Sequence, residues 1–317
     1  MSVAYVFPGQ GSQAVGMLRD VYERSAEGRA MIEAADRTLG FALSALMFEG
    51  PEETLRETEN AQPALFVAGA VLYTLYRRAL EASAPETPAF VAGHSLGQYT
   101  ALFAAGALDF EEGVRLVRRR GELMKAAGRG RGTMAAVLGA DEATVREVLA
   151  ALPDHLRDAG EIVEAANMNG PGQIVLSGTE AALAWAEQAL RGRGVRRVIR
   201  LNVSGPFHSS LMAGAAASLR EALTATDWKP PAVPVVDNVT AEALPFDALI
   251  DRLAEQVMRP VRWEASVRVM VAAGVRRFIE FGPGNVLSGL IRRIAPDVEA
   301  MSLSALDDLE RYAGSGR

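Results

Sequence analysis

A serine flanked by glycine two residues away on each side, Gly93-His94-Ser95-Leu96-Gly97, has the G-x-S-x-G spacing of an activated nucleophile. The spacing has a steric origin. Where a strand runs sharply into a helix, the two backbones pass too close for a Cβ, and the serine between them is held strained and exposed. The flanks fit, because Phe90, Val91 and Ala92 read as a buried strand and Gly97, Tyr99 and "ALFAAGAL" as a buried helix. A small residue in a tight turn is the competing reading. A serine hydroxyl also needs a base within hydrogen-bond reach, and the chain has 3 histidines. His155, in "LPDHLRDAG", belongs to a polar helix end or loop, and His94 adjoins the serine with its ring directed away from the hydroxyl. His208 remains, in "NVSGPFHSSLM", on a glycine-proline loop between a strand and a helix. Sites in open α/β sheets gather at such loops. Capping of the following helix is its alternative role.

In α/β-hydrolases an acid between serine and histidine in the chain orients the imidazole. Here the acids of that interval, Asp141, Glu142, Glu147, Asp158 and Glu161, fall in helical or loop patterns away from a shared edge. A dyad with a backbone carbonyl holding the imidazole is therefore expected in place of a triad. The segment "FEEGVRLVRRRGELMKAAG" (110–128) reads as a helix with apolar positions Val114, Leu116, Val117, Leu123 and Met124. Steps of three and four place Arg120 inside that stripe, with Arg118 and Arg119 toward the polar side. A guanidinium in apolar surroundings needs an anion, and its planar fork matches a carboxylate. That anion is either an acid of the protein or part of a substrate.

These groups must be positioned by strands and helices. Apolar runs at 3–7, 89–93, 233–239, 276–281 and 300–304, separated by helical patterns, predict a mainly parallel sheet. Between them, strands at 133–139, 162–167, 173–178 and 195–201, with helices from Asp141 and Thr179, follow a β-α-β-β-α-β order within about seventy residues. The expected fold is α/β: a large α/β-hydrolase-like domain with a parallel sheet (1–127 and 203–317) and an inserted small ferredoxin-like domain (128–202), reached through "AGRGRG". The final "YAGSGR" reads as a frayed tail.

Composition narrows the function. With 49% hydrophobic and 23% charged residues the chain is globular, and its 317 residues can bury a large core. The absence of cysteine removes disulfides, thiolate metal sites and cysteine nucleophiles, and fits a reducing cytoplasm. A net charge of -6 argues against nucleic acid. "MSVAYVFPGQG" lacks a signal-peptide pattern, and "ALFVAGAVLYTLY" (64–76) is short of the ~20 residues of a membrane span. The run "RGRGVRRVIR" (191–200) is basic; it is either a solvated strand edge or a surface that attracts an acidic partner.

The motifs "FPGQGSQ", "NAQPAL", "GHSLG", "RLVRRRGELM", "NGPGQIVLSG", "VSGPFHSSLM", "PVRW" and "EFGPGNVLSGL" together give the chain a resemblance to malonyl-CoA:acyl carrier protein transacylases over nearly its full length. The resemblance implies a Ser95–His208 dyad whose imidazole is held by the main-chain carbonyl of Gln256. It implies an oxyanion hole of the Gln10 and Leu96 N–H groups, Arg120 gripping the free carboxylate of malonate, and Phe207 favouring malonyl over methylmalonyl groups. It also implies a ping-pong transfer from malonyl-CoA to acyl carrier protein in the cytoplasm, in fatty acid or polyketide synthesis, without metal or cofactor. Members usually carry glutamate where this chain has Gln98. The rivals are a serine thioesterase or hydrolase using the same two residues, and a catalytically idle binding module.

Overall fold

The computed structural model describes residues 2–81 and 86–314. Five parallel strands form the larger sheet: β1 (Ser2–Phe7), β2 (Phe90–Gly93), β7 (Val235–Val236), β8 (Val275–Phe281) and β9 (Glu299–Leu303), in the order β7-β2-β1-β8-β9. A second, antiparallel sheet contains β3 (Thr133–Leu138), β4 (Val163–Gly170), β5 (Gln173–Gly178) and β6 (Arg197–Arg200), in the order β4-β5-β3-β6. That order, with helices Glu142–Ala150 and Glu180–Gly192 as the crossovers, is ferredoxin-like.

The alternation of side chains along β1 explains the layers. Val3, Tyr5 and Phe7 enter one core with helices Thr58–Glu81, Gly97–Ala104 and Phe110–Gly128, whereas Ala4 and Val6 enter another with helices Trp263–Ala272 and Val286–Ile294. A parallel sheet covered on both faces needs such uninterrupted apolar strands. The antiparallel sheet places Ala135, Val137, Ile174 and Leu176 against its two helices, whereas Met134, Ala166 and Val175 on its other face enter the core of the larger unit. It is joined to the larger unit by backbone bonds: Met168 N–H donates to the Val261 carbonyl, and Val261 N–H to that of Ala166.

Three expectations change. The strand expected at 233–239 is only Val235–Val236, because Asp237 accepts from Thr240 N–H and Oγ1 and turns the chain. The strand expected at 162–167 spans Val163–Gly170, three residues longer at its end. Part of the expected tail, up to Gly314, is the helix Leu306–Gly314, with Tyr312 packed on Tyr76; 315–317 lie outside the described residues.

Register places the ends of the central strands together. Phe7 pairs with Gly93 and Ala92 with Val236, so the segments beginning at Pro8, His94 and Asp237 leave the same edge side by side. Sites in open parallel sheets lie at that carboxyl edge.

Candidate active site

Ser95 sits between β2 and helix Gly97–Ala104 with φ 52°. Both flanking glycines are forced: a Cβ on Gly93 would lie 1.8 Å from the Gly97 carbonyl carbon, and one on Gly97 2.0 Å from the Phe7 carbonyl oxygen. The strained serine is pinned from behind, its N–H donating to Asn238 Oδ1 at 2.7 Å.

His208 approaches from the loop after the antiparallel sheet, itself at φ 58° and with its N–H bonded to the Val257 carbonyl. Its Nε2 lies 2.8 Å from Ser95 Oγ, and its Nδ1 lies 2.8 Å from the Gln256 carbonyl and 3.2 Å from that of Arg259. Both partners of Nδ1 are acceptors only, so Nδ1 carries the proton and Nε2 presents its lone pair to the serine hydroxyl. Burial, and then the nearby Arg120 cation, lower the imidazole pKa to about 3. The ring is therefore neutral at neutral pH, the form that accepts a proton. Among the described residues no carboxylate orients it.

Arg120, 1% exposed, reaches the same point from helix Phe110–Gly128. A Cβ on Gly121 would lie 2.7 Å from the Glu59 Cα, so glycine there lets this helix approach the start of Thr58–Glu81 and brings Gln62 within reach. Arg120 Nη1 donates to Gln62 Oε1 at 2.8 Å; Nη2 donates to Gln256 Oε1 at 2.9 Å and to Ser95 Oγ at 3.1 Å. The guanidinium carbon lies 5.4 Å from the centre of the Tyr99 ring. Burial lowers its pKa. All these partners are neutral, and no described carboxylate forms an ion pair with it, so a protein acid is not its anion. Arg118 and Arg119 instead pair with Glu122.

A cavity of about 450 Å³ opens above these groups, lined by Gln10, Ser95, Arg120, Met124, Phe207 and His208 among others. The N–H groups of Gln10, just after β1, and of Leu96, at the start of a helix, have no hydrogen-bond acceptor among the described residues. Both residues line the cavity together with Ser95, and unpaired N–H donors at a helix start favour negative charge. Phe207, 5% exposed, contributes an apolar wall next to the histidine. His94 turns away, Nε2 2.8 Å from Asn169 Oδ1 and its ring 5.8 Å from that of Trp263, while His155 is exposed.

The structure thus brings Gln10, Ser95, Leu96, Arg120, Phe207 and His208 to one cavity, with Gln256 buried behind it in contact with His208 and Arg120. Sequence reasoning missed the amides behind them. Gln62, Asn238 and the side chain of Gln256 are uncharged and sit where periodicity carries no signal. Their available sign was place: Gln62 lies within "NAQPAL", and Asn238 directly after a central strand.

The acyl transferase domain family matches residues 4–306. The malonyl CoA-acyl carrier protein transacylase of Bacillus subtilis is 43% identical over 310 residues, covering 97% of this chain and 95% of that protein. The crystal structure of the corresponding transacylase from Xanthomonas oryzae superposes with a TM-score of 0.91 at 44% identity, covering 99% and 97% of the two chains. A malonyl-transacylase solved in complex with a type II polyketide acyl-carrier protein gives a TM-score of 0.92 at 35% identity, with 100% of both chains covered. The nucleophile turn, the base and the buried cation therefore stand in a matching fold, and this chain belongs to the malonyl-CoA:acyl carrier protein transacylase family.

Proposed function

We propose that Ser95 carries a malonyl group from malonyl-CoA to the phosphopantetheine thiol of acyl carrier protein, for fatty acid or polyketide synthesis. The buried guanidinium of Arg120 carries this reading: it stands 3.1 Å from the Ser95 hydroxyl with no carboxylate of its own. A malonyl ester on Ser95 has its free carboxylate one methylene beyond the ester carbonyl, so one anion answers the cation.

His208 takes the proton as Ser95 Oγ attacks the thioester carbonyl. The N–H groups of Gln10 and Leu96 receive the oxyanion. Collapse breaks the C–S bond, and His208 returns the proton to the departing coenzyme A thiolate. In the second step His208 deprotonates the carrier thiol, which attacks the serine ester and regenerates the hydroxyl. The Gln256 carbonyl holds the imidazole throughout, and Phe207 narrows the pocket around the malonyl methylene. Both steps draw on groups of this chain, without a cofactor. Residues 1–127 and 203–317 serve as the catalytic domain and 128–202 as an inserted domain closing one side of the cavity. A cytoplasmic setting accords with the lack of cysteine, and no described helix is long and apolar enough to cross a membrane.

Native mass spectrometry after incubation with malonyl-CoA tests the reading. One malonyl adduct is expected, absent in Ser95→Ala. A comparable adduct in that variant would overturn the assignment. A thioesterase would instead release free malonate without an acceptor thiol.

A further inference from the structure

Behind the nucleophile lies a line of buried polar side chains that the transfer chemistry does not use. Asp237, Gln98 and Gln256 are each at most 1% exposed. Gln98 Nε2 donates to Asp237 Oδ1 at 3.3 Å, and Gln256 Nε2 donates to Gln98 Oε1 at 2.8 Å. Arg120 Nη2 donates to Gln256 Oε1 at 2.9 Å. The line begins at a group that only accepts and ends at a group that only donates. Each amide between them therefore has one orientation, with its NH₂ toward Asp237 and its oxygen toward Arg120.

We infer that Asp237 and Gln98 are positioning residues that set the direction of this amide relay, and that through Gln256 they aim Arg120 at the substrate carboxylate. The inference rests on the malonyl-transfer reading. Buried amides are costly when a donor faces a donor, so the orientation of one is imposed on the next. Asp237 is itself held, its Oδ2 accepting from Thr240 N–H and Oγ1 at 3.1 Å. The same amides also grip the nucleophile turn. Gln256 Nε2 donates to the Ser95 carbonyl at 2.9 Å; Asn238 Nδ2 donates to the Gly93 carbonyl, and its N–H donates to Gln98 Oε1. Reversing the relay would turn an NH₂ of Gln256 toward Arg120, donor against donor, and release the guanidinium from its aim.

A charge-exchange series separates this role from packing. In Asp237→Asn, the new amide must place its NH₂ against either Thr240 N–H or the NH₂ of Gln98. In Gln98→Glu, a carboxylate faces the Asp237 carboxylate. In the double variant Gln98→Glu/Asp237→Asn, the new amide donates to the new carboxylate and accepts from Thr240, so the direction toward Gln256 is restored. The measurement is kcat/KM for loading of malonyl-CoA and of acetyl-CoA, with thermal melts. Each single variant is expected to lower the malonyl-to-acetyl ratio about tenfold, and the double to return it to within about threefold of the unaltered chain. A mere loss of folded protein lowers both thioesters equally and leaves the ratio fixed. If either single variant does not fold, the other and the double still decide. A double variant with a ratio no better than the single variants, or single variants with an unchanged ratio, would overturn the inference. Failure of the unaltered chain to load malonyl-CoA would instead strike the transfer reading itself.

Discussion

At the end of helix Glu180–Gly192 and on the edge strand β6 that follows it, Arg191, Arg193 and Arg200 are exposed and each meets a glutamate: Glu187 at 2.6 Å, Glu147 at 2.9 Å and Glu180 at 3.2 Å. Arg120 is buried beside the parallel sheet and meets only amides, a hydroxyl and an aromatic ring. The contrast shows where charge is put to use. Exposed pairs contribute about 0–1 kcal/mol each and need no functional reason. A desolvated cation without a counter-ion costs stability, and its presence is explained by an anion that arrives later. Three arginines of the basic run that stood out in the sequence are thus occupied by the protein's own acids, whereas the arginine inside an apolar stripe is buried without one.

The largest effect is expected in the buried region, from removing His208 beside Ser95. His208→Ala is expected to slow both loading from malonyl-CoA and transfer to the carrier, by about 10²- to 10⁴-fold. If only the carrier step slowed, a base shared by both half-reactions would be wrong.

A pH profile sharpens the comparison, because Arg120 acts on His208 as well as, in the proposed reading, on substrate. Burial first, and then the Arg120 cation, depress the imidazole pKa to about 3, so the base stays competent as pH falls until that range is reached. A malonyl carboxylate paired with Arg120 removes the second cause and lets the pKa rise. The acid limb of kcat, which reports the complex, should therefore lie at higher pH than that of kcat/KM, which reports the free enzyme. Acetyl-CoA, with no carboxylate, should show a smaller separation. Equal separations for the two thioesters would show that Arg120 does not couple the carboxylate to the base.

The smallest effect belongs to the exposed edge. Arg196 and Arg197 form no ion pair among the described residues, while Arg193 already faces Glu147. Arg193→Glu with Arg197→Glu is expected to weaken use of an acidic carrier by no more than roughly tenfold, less at high salt, and to leave loading unchanged. Equal changes in both steps would remove this edge from carrier recruitment.

How far the sequence could be read follows from the kind of force at each place. The nucleophile turn was legible because backbone contact forbids a Cβ at Gly93 and Gly97. Arg120 was legible because a cation interrupts an apolar period, and His208 because only 3 histidines compete. The sheets were legible from apolar runs, except where polar side chains replaced the ladder: Asp237 ended β7 early. Gln62, Asn238 and the Gln256 side chain were hidden, since a neutral amide declares no charge and gains meaning from partners far along the chain, Arg120 at 58 positions from Gln62 and Ser95 at 161 from Gln256. Gln98 likewise gains its meaning only beside Asp237.

The central claim is that Arg120 is held without an acid in order to receive the malonyl carboxylate. The most direct test is the ratio of kcat/KM for malonyl-CoA to that for acetyl-CoA, in the unaltered chain and in Arg120→Ala, with folding checked by thermal melt. Stranding the carboxylate without its cation costs ~3 kcal/mol or more, so malonyl loading should fall about 10²-fold or further while acetyl-CoA gains relative to it. A parallel loss for both thioesters in a folded variant would contradict the account, making Arg120 a structural residue and leaving the choice of malonyl to other groups.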